Sequence, residues 1–471
     1  MISSWQRTKI VCTLGPSTDH PDVLEQMIRA GMDVARINTA HGSRESHAKQ
    51  IRLVREVAKK CGEPVAVLVD LPGPKFRVGE LKERFAELRS GTRVVLGASS
   101  SGEETIPLSH PELIRELKKG EAVYLADGSI HLQVVETSAD SAVCRVEIGG
   151  MIRSGAGINL PQSHLSTEIP TEEDIGQIAF ALEQKAEWLG VSFVRTPEDI
   201  RRLRSHLPSE NPPKVMAKIE KRQAVAELEE IAYAADGVMV ARGDLGVETD
   251  LAEVPILQKR IVKVANELGR PVVVATQMLE SMINHGQPTR AEVTDVANAV
   301  LDGADAVMLS GETAVGHFPV EAVQMLGKVV KATEGSYPYG SFLPAPGQKA
   351  SSSSEEAMSL VACRLSIELN ARAIIVPVSR MQTALRLIRF RPKAPVITIS
   401  TSETLCRQLA VVWGIVPLLI PSSGKTDSGI ASARAWLLDR KLAGAGDPVV
   451  VLSASDPLGG TLSDTVEIVR L

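Results

Sequence analysis

Two carboxylates, a lysine and a threonine fall where short apolar runs end. Glu220 closes the run Val215–Glu220, and Asp244 lies in Ala241-Arg-Gly-Asp-Leu-Gly. Carboxylate oxygens are hard ligands, and a pair that leaves positions open to water suits Mg²⁺ or Mn²⁺. The competing reading is that each carboxylate merely caps a following helix. Lys218 stands two residues before Glu220, so on a strand both side chains point the same way. A lysine inside a fold is costly unless it is paired or holds an anion. Beside a metal it can neutralise phosphate or enolate charge. Thr276, in the run Pro271–Gln277, adds a hydroxyl, and Arg36 and Arg77 are candidate phosphate ligands. Taken alone, either arginine reads first as a surface ion pair. No Walker A loop, GxGxxG or HExxH motif occurs, so nucleotide phosphates would need another holder.

The elements that must position these residues form one repeating pattern. Short β-branched runs end in a polar residue, and an amphipathic stretch follows each. The runs are Lys9–Thr13, Val34–Asn38, Val65–Asp70, Trp188–Phe193, Val215–Glu220, Gly237–Arg242, Pro271–Gln277 and Ala306–Ser310. Such alternation implies buried parallel strands with crossover helices. Eight units predict an α/β fold, a TIM (β/α)8 barrel, with an open doubly wound sheet as the alternative. The barrel is favoured because polar residues stand at nearly every run end, where a barrel gathers its catalytic face; Thr13, Asn38, Asp70, Ser192 and Glu312 join those above.

The spacing breaks once, between Asp70 and Trp188. Alternating runs bounded by Gly and Asp predict a small β-domain inserted after the third strand, placed to act as a lid. A Pro-, Gly- and Ser-rich linker, Tyr337–Gly347 and Ser351–Ser354, precedes a C-terminal α/β domain. The expected domains are a barrel over 1–72 and 159–338, a lid over 73–158 and a terminal domain over 339–471.

Composition excludes several classes. The net charge of −5 and the 3% aromatic content suit neither a basic nucleic-acid groove nor a base-stacking platform. Five dispersed cysteines without a CxxC pair predict reduced thiols rather than a zinc knuckle or a disulfide framework. No apolar run spans a bilayer and no secretory h-region opens the chain, which together predict a cytoplasmic protein with no membrane or nucleic-acid partner.

Several motifs in order carry a resemblance. Thr8-Lys-Ile-Val-Cys-Thr-Leu-Gly-Pro-Ser, Val34-Ala-Arg-Ile-Asn, Ala241-Arg-Gly-Asp-Leu-Gly, Ala275-Thr-Gln-Met-Leu-Glu-Ser-Met, Pro288-Thr-Arg-Ala-Glu and Asp302-Gly-Ala-Asp-Ala-Val-Met-Leu-Ser-Gly-Glu-Thr-Ala resemble the pyruvate kinases. That resemblance implies phosphoryl transfer from phosphoenolpyruvate to ADP, giving pyruvate and ATP. It implies that Glu220 and Asp244 hold Mg²⁺, that Lys218 stabilises the phosphoryl group, and that Thr276 serves protonation of the enolate. It places the substrate carboxylate on the amides of Gly243 and Asp244. Arg36, Arg77, Asn38 and His41 match phosphate and nucleotide contacts, Thr13 and Pro16 match the nucleotide pocket, and Asp127 matches a lid acid. A homotetramer is implied as well.

The resemblance breaks at the monovalent cation. Many members bind K⁺ through an Asn-x-Ser hydroxyl, an Asp-Thr pair and a nearby Glu. Here the first reads Asn38-Thr-Ala40, and the other reads Asp70-Leu-Pro-Gly-Pro-Lys75. A fixed ammonium can supply the field of a bound K⁺, so the expectation is a K⁺-independent enzyme with Lys75 as cation mimic. The alternative is a solvated lysine and a weakened K⁺ site. A lysine often found in the family's lid is Ala156 here, so the resemblance leaves one nucleotide phosphate contact unassigned. Ser379, Arg380 and Thr383 mark a candidate effector loop for a sugar phosphate or AMP, with no effector as the equal alternative. A Mg²⁺-dependent carbon–carbon lyase and a catalytically dead scaffold are the readings from other classes. The lid and terminal domain argue against the lyase, and retention of Lys218, Glu220, Asp244 and Thr276 argues against the scaffold.

Overall fold

The computed structural model describes residues 5–97, 104–163, 167–344, 353–421, 426–453 and 465–471. Eight parallel strands close a barrel in chain order: Lys9–Thr13, Met32–Asn38, Ala66–Asp70, Trp188–Val191, Lys214–Ile219, Gly237–Ala241, Val272–Ala275 and Ala306–Leu309. These strands are buried on both faces, which is why they read as continuous apolar runs. Outward-facing residues such as Ile10, Val67 and Val274 pack under the surrounding helices. Inward-facing residues such as Val11, Leu68, Trp188, Met216 and Met308 fill the lumen. The lumen core runs on, at the barrel base, into Leu409, Val412 and Trp413 of the terminal domain.

The insertion leaves the barrel order intact, because Ala66–Asp70 pairs directly with Trp188–Val191 across it. It holds a six-stranded sheet and a separate two-stranded pair, Phe85–Leu88 with Gly150–Arg153. Its core, including Val94, Leu125, Ile130 and Val146, is its own. The return helix Glu172–Glu183 starts at the N-cap Thr171, whose hydroxyl accepts from the Asp174 amide at 3.1 Å. The Asp174 carboxylate accepts from the Gly73 amide at 2.9 Å, so this helix start also clamps the lid entrance.

The terminal sheet runs Ile415–Leu419, Val396–Ser400, Ile374–Pro377, Pro448–Ser453, Thr465–Arg470. Only the last strand is antiparallel to its neighbour. The linker reading needs correcting in part. Tyr337 is buried, and Tyr337 and Tyr339 pack on Trp413 with ring centroids 6.0 and 6.3 Å away, so this stretch is a docked segment rather than a free spacer. Ser353 caps the helix Ser354–Glu368, while 345–352 lie outside the described residues. All five cysteines are free, and no described helix is long and apolar enough to cross a membrane.

Candidate active site

Asp70 ends the third barrel strand, level with Asn38 on one side and Gly190 on the other. Gly190 has no side chain to block it; a Cβ there would stand 3.0 Å from Asp70 Oδ1. Asp70 Oδ2 accepts from Arg36 Nε at 2.7 Å and pairs with its Nη2 at 2.6 Å. Arg36 Nη1 donates to Thr13 Oγ1 at 2.9 Å, and that hydroxyl donates to the Leu309 carbonyl at 3.0 Å. On the other side Lys218 Nζ lies 3.2 Å from Asp70 Oδ1 and 2.9 Å from Glu220 Oε1, and donates to Ser192 Oγ at 2.7 Å. Arg36, Lys218, Asp70 and Glu220 therefore form one buried, charge-balanced chain across the barrel mouth. A single buried charge would cost several kcal/mol; mutual pairing of opposite charges is what offsets that cost here.

The charge states follow from this arrangement. Burial opposes ionisation of Asp70, but Lys218 and Arg36 hold its carboxyl below the ordinary range. Burial would lower the Lys218 ammonium, but Asp70 and Glu220 outweigh it and raise it. Glu220 differs: burial, helped by nearby Asp244, pushes it up to about 7 despite Lys218. Its Oε2 accepts from the Phe193 amide at 2.7 Å, which fixes the carboxylate plane. Glu220 lies one residue past its strand. Thr276 also lies past its strand rather than on it, in a left-handed turn with φ of 69° at Thr276 and 53° at Gln277. That turn aims its hydroxyl at the next loop, where it accepts from the Gly243 amide at 2.9 Å. The Gly243 amide, expected to be open to a substrate carboxylate, is thus engaged here.

Above this chain lies a cavity of about 340 Å³ between barrel and lid. His41, Lys75, Arg77 and Lys221 line it together with the acids Asp127 and Asp244. Burial, then the charges of Lys75, Arg77 and Arg36, lowers His41 and favours its neutral form. Burial, then Arg77 and Lys218, lowers Lys75, while Asp70 and Asp244 pull it back up. Arg77 Nη1 donates to the Gly155 carbonyl at 2.8 Å, tying the outgoing lid segment to the returning one. The cavity is lined mainly by cations, with Asp127 on its lid side and Asp244 on its barrel side, which suits a phosphate ester approaching a cation.

Comparison with known proteins decides the lineage. Residues 5–323 match the pyruvate kinase barrel domain, and residues 356–469 match the pyruvate kinase alpha/beta domain. A pyruvate kinase of Methylorubrum extorquens is 41% identical over 456 residues, covering 96% of this chain and 95% of its own. One from Thermotoga maritima is 38% identical over 471 residues, covering 98% and 99%. One from Geobacillus stearothermophilus is 38% identical over 462 residues, covering 97% and 78%.

This chain belongs to the pyruvate kinase family.

Membership makes it a phosphotransferase on a TIM barrel with a terminal α/β domain, as the motifs implied. Pyruvate kinases generally use Mg²⁺, and the residues here fit such an ion. Among the described residues no group of three or more His, Cys, Asp or Glu gathers as an all-protein cage. Mg²⁺ does not need one, since it keeps waters and borrows substrate oxygens. Glu220 Oε1 is buried and accepts no well-directed hydrogen bond, so it retains a lone pair for a cation. Asp244, in the first turn of Arg242–Glu248, faces the cavity with no partner for its carboxylate among the described residues. Neither acid is spent on the capping role held open above.

The remaining expected residues are scattered around this centre. Thr13 reaches it through Arg36, and Pro16, itself exposed, opens the turn Pro16–Thr18 after the first strand. Asn38 Oδ1 accepts from the Ala40 amide, two residues on, at 3.2 Å. Asp127 is an exposed lid residue with φ of 54°. Ser379 and Arg380 are exposed on the terminal domain, and Thr383 lines a small cleft there with Arg386 and Ser359, apart from the barrel mouth. Glu312 binds backbone amides of Leu279 and Ser310 and so shapes a loop. Sequence reasoning placed Ser192 and Asp70 at run ends but gave neither a role. Only spatial neighbours reveal that Asp70 links Arg36 to Lys218, and that Ser192 holds the Lys218 ammonium.

Proposed function

We propose that this pyruvate kinase transfers the phosphoryl group of phosphoenolpyruvate to ADP without needing K⁺. The position of Lys75 carries the reading. Its ammonium lines the cavity within electrostatic reach of Asp70 and Asp244. Two unit charges 4 Å apart interact by about 4 kcal/mol at a surface-like dielectric. A diffusible K⁺ would meet that repulsion from Lys75 at a site already supplied with a fixed charge.

In this reading Glu220 and Asp244 hold Mg²⁺, which when bound screens the substrate phosphate and carboxylate. Lys218, held by Ser192, Asp70 and Glu220, points its charge at the moving phosphoryl group. The bond from phosphorus to the enol oxygen breaks as one to a terminal oxygen of ADP forms. The enolate then takes a proton at carbon, with the Thr276 hydroxyl, fixed by the Gly243 amide, relaying it through water. Arg36, Arg77, Asn38 and His41 serve the phosphates and nucleotide, Thr13 and Pro16 border the nucleotide pocket, and Asp127 approaches from the lid. A homotetramer and a terminal-domain effector site at Ser379, Arg380 and Thr383 complete the proposal.

The test is ATP formation from phosphoenolpyruvate and ADP with Mg²⁺ in tetramethylammonium buffer, with and without K⁺. Full activity without K⁺ supports the proposal. Activity only with K⁺ rejects Lys75 as cation mimic, and no activity in either buffer rejects the reaction. Substrate saturation curves that stay flat under sugar phosphates and AMP reject the effector site.

A further inference from the structure

We propose that His47, which lies outside the cavity, is a positioning residue for the nucleotide, holding the loop that carries Asn38 and His41 by a hydrogen bond to the His41 carbonyl. The inference rests on the proposed nucleotide role of that loop. His47 is buried in the first turns of the helix Arg44–Cys61, and its Nε2 lies 2.7 Å from the His41 carbonyl oxygen. A carbonyl only accepts, so Nε2 carries the proton and donates. Nδ1 is buried, and among the described residues it has no partner, so the bond to the His41 carbonyl is the ring's one polar contact there. A buried imidazole that leaves one nitrogen unsatisfied costs stability, and packing alone would be better served by an apolar side chain.

The surroundings are built for that contact. Gly42 adopts φ of +90°, and a Cβ there would stand 3.0 Å from His47 Nε2. The ring occupies space that any other residue at position 42 would contest. Phe180 backs the ring at 6.3 Å between centroids, and the Ser43 cap with Ser46 fixes the start of the helix. At its other end the loop is held by Thr39, whose hydroxyl donates to the Asp70 carbonyl at 2.7 Å. Thr39 thus ties the loop to the charged centre and His47 ties it to the helix. Between them the His41 side chain is aimed into the cavity. Small displacements of such a loop weaken binding at the nucleotide while leaving the phosphoenolpyruvate side alone.

The experiment compares His47→Met, His47→Gln and Gly42→Ala in the full chain, with KM for ADP, KM for phosphoenolpyruvate, kcat and melting temperature. Gln keeps an N–H near the Nε2 position; Met fills the volume without one. Met is expected to raise KM for ADP about tenfold, the scale of one buried hydrogen bond, with Gln within about twofold of the parent. Gly42→Ala strains the left-handed turn and crowds the ring at the same time, and is expected to raise KM for ADP as well, so a readout on the loop remains if Met fails to fold. KM for phosphoenolpyruvate and kcat should move by less than about threefold. Met and Gln behaving alike, or an ADP KM unchanged in Gly42→Ala, overturns the proposal. His41→Ala separates the two readings: if it leaves KM for ADP unchanged, the nucleotide role of the loop is what fails.

Discussion

At the scale of single residues, charge placement makes the sharpest demands. Lys75→Glu puts an acid where the family resemblance implies a glutamate beside a bound cation. Lys75→Glu is expected to lose about tenfold or more of its K⁺-free activity and to regain a good part on adding K⁺, since the removed and added charges act at one spot. An unchanged K⁺ response in steady-state assays would sink the cation-mimic reading. Glu220 gives a second residue-scale prediction. Its carboxyl sits near 7 in the metal-free protein because it is buried and faces Asp244. A metal needs the anion, so proton and metal compete for the same oxygens. Above that value the carboxylate is free and affinity should be level. Below it, Mn²⁺ affinity should fall by about tenfold per pH unit. Calorimetric titration of Mn²⁺ between pH 6 and 8 checks this, and a flat profile contradicts it.

At the scale of elements, the turn that leaves the third barrel strand does more than connect. Gly73 has φ of +64°, and a Cβ there would stand 2.7 Å from Phe193 Cδ2 and 3.0 Å from Ser192 Cβ. Phe193 holds Glu220 through its amide, and Ser192 holds Lys218. Gly73→Ala is therefore expected to cost about 1–3 kcal/mol of stability through backbone strain and crowding. It should also lower kcat, because both holders are pushed. Urea unfolding and kcat measured on one preparation test the link; lost stability with unchanged kcat breaks it. The same contrast between strand and turn explains what was legible in the sequence. The eight barrel runs could be read because both faces are buried, as in Ala66–Asp70. In the lid, Phe85–Leu88 and Glu104–Ile106 went unread, since short strands with exposed positions carry little alternation. Glu220, Asp244, Lys218 and Thr276 could be read because chemistry-bearing residues at strand ends stand out against apolar runs. The central place of Asp70 could not, because its partners Arg36 and Lys218 come from two other strands. Neither could the left-handed turn at Thr276, which ends its strand earlier than the apolar run suggested.

At the scale of the whole molecule, the terminal domain caps the base of the barrel, and the apolar core of the lumen continues into it. One arginine from that domain shows how tightly. Arg391, with φ of 46°, is buried and reaches the barrel floor. Its guanidinium donates to Asp305 Oδ2 at 3.1 Å, to the Gly303 carbonyl at 2.8 Å and to Asn266 Oδ1 at 2.5 Å, and lies 4.9 Å from the Trp413 ring centroid. Asp305 also accepts from the amides of Val272, which begins the Thr276 strand, and of Trp413. Trp188, from inside the lumen, donates its indole N–H to the Gln408 carbonyl at 3.1 Å. With a shared apolar core and these polar ties, barrel and terminal domain should unfold as one unit. Arg391→Met removes one partner of a buried ion pair and leaves Asp305 uncompensated, a change that costs about 3–5 kcal/mol. Scanning calorimetry should show one transition in the parent and, in Arg391→Met, an earlier one in which the terminal domain melts ahead of the barrel. Adding Asp305→Asn removes the stranded charge, so the double variant should recover part of the loss, as coupled residues do. If Asp305→Asn instead adds its full cost to that of Arg391→Met, the two side chains act independently and the ion pair does not couple the domains.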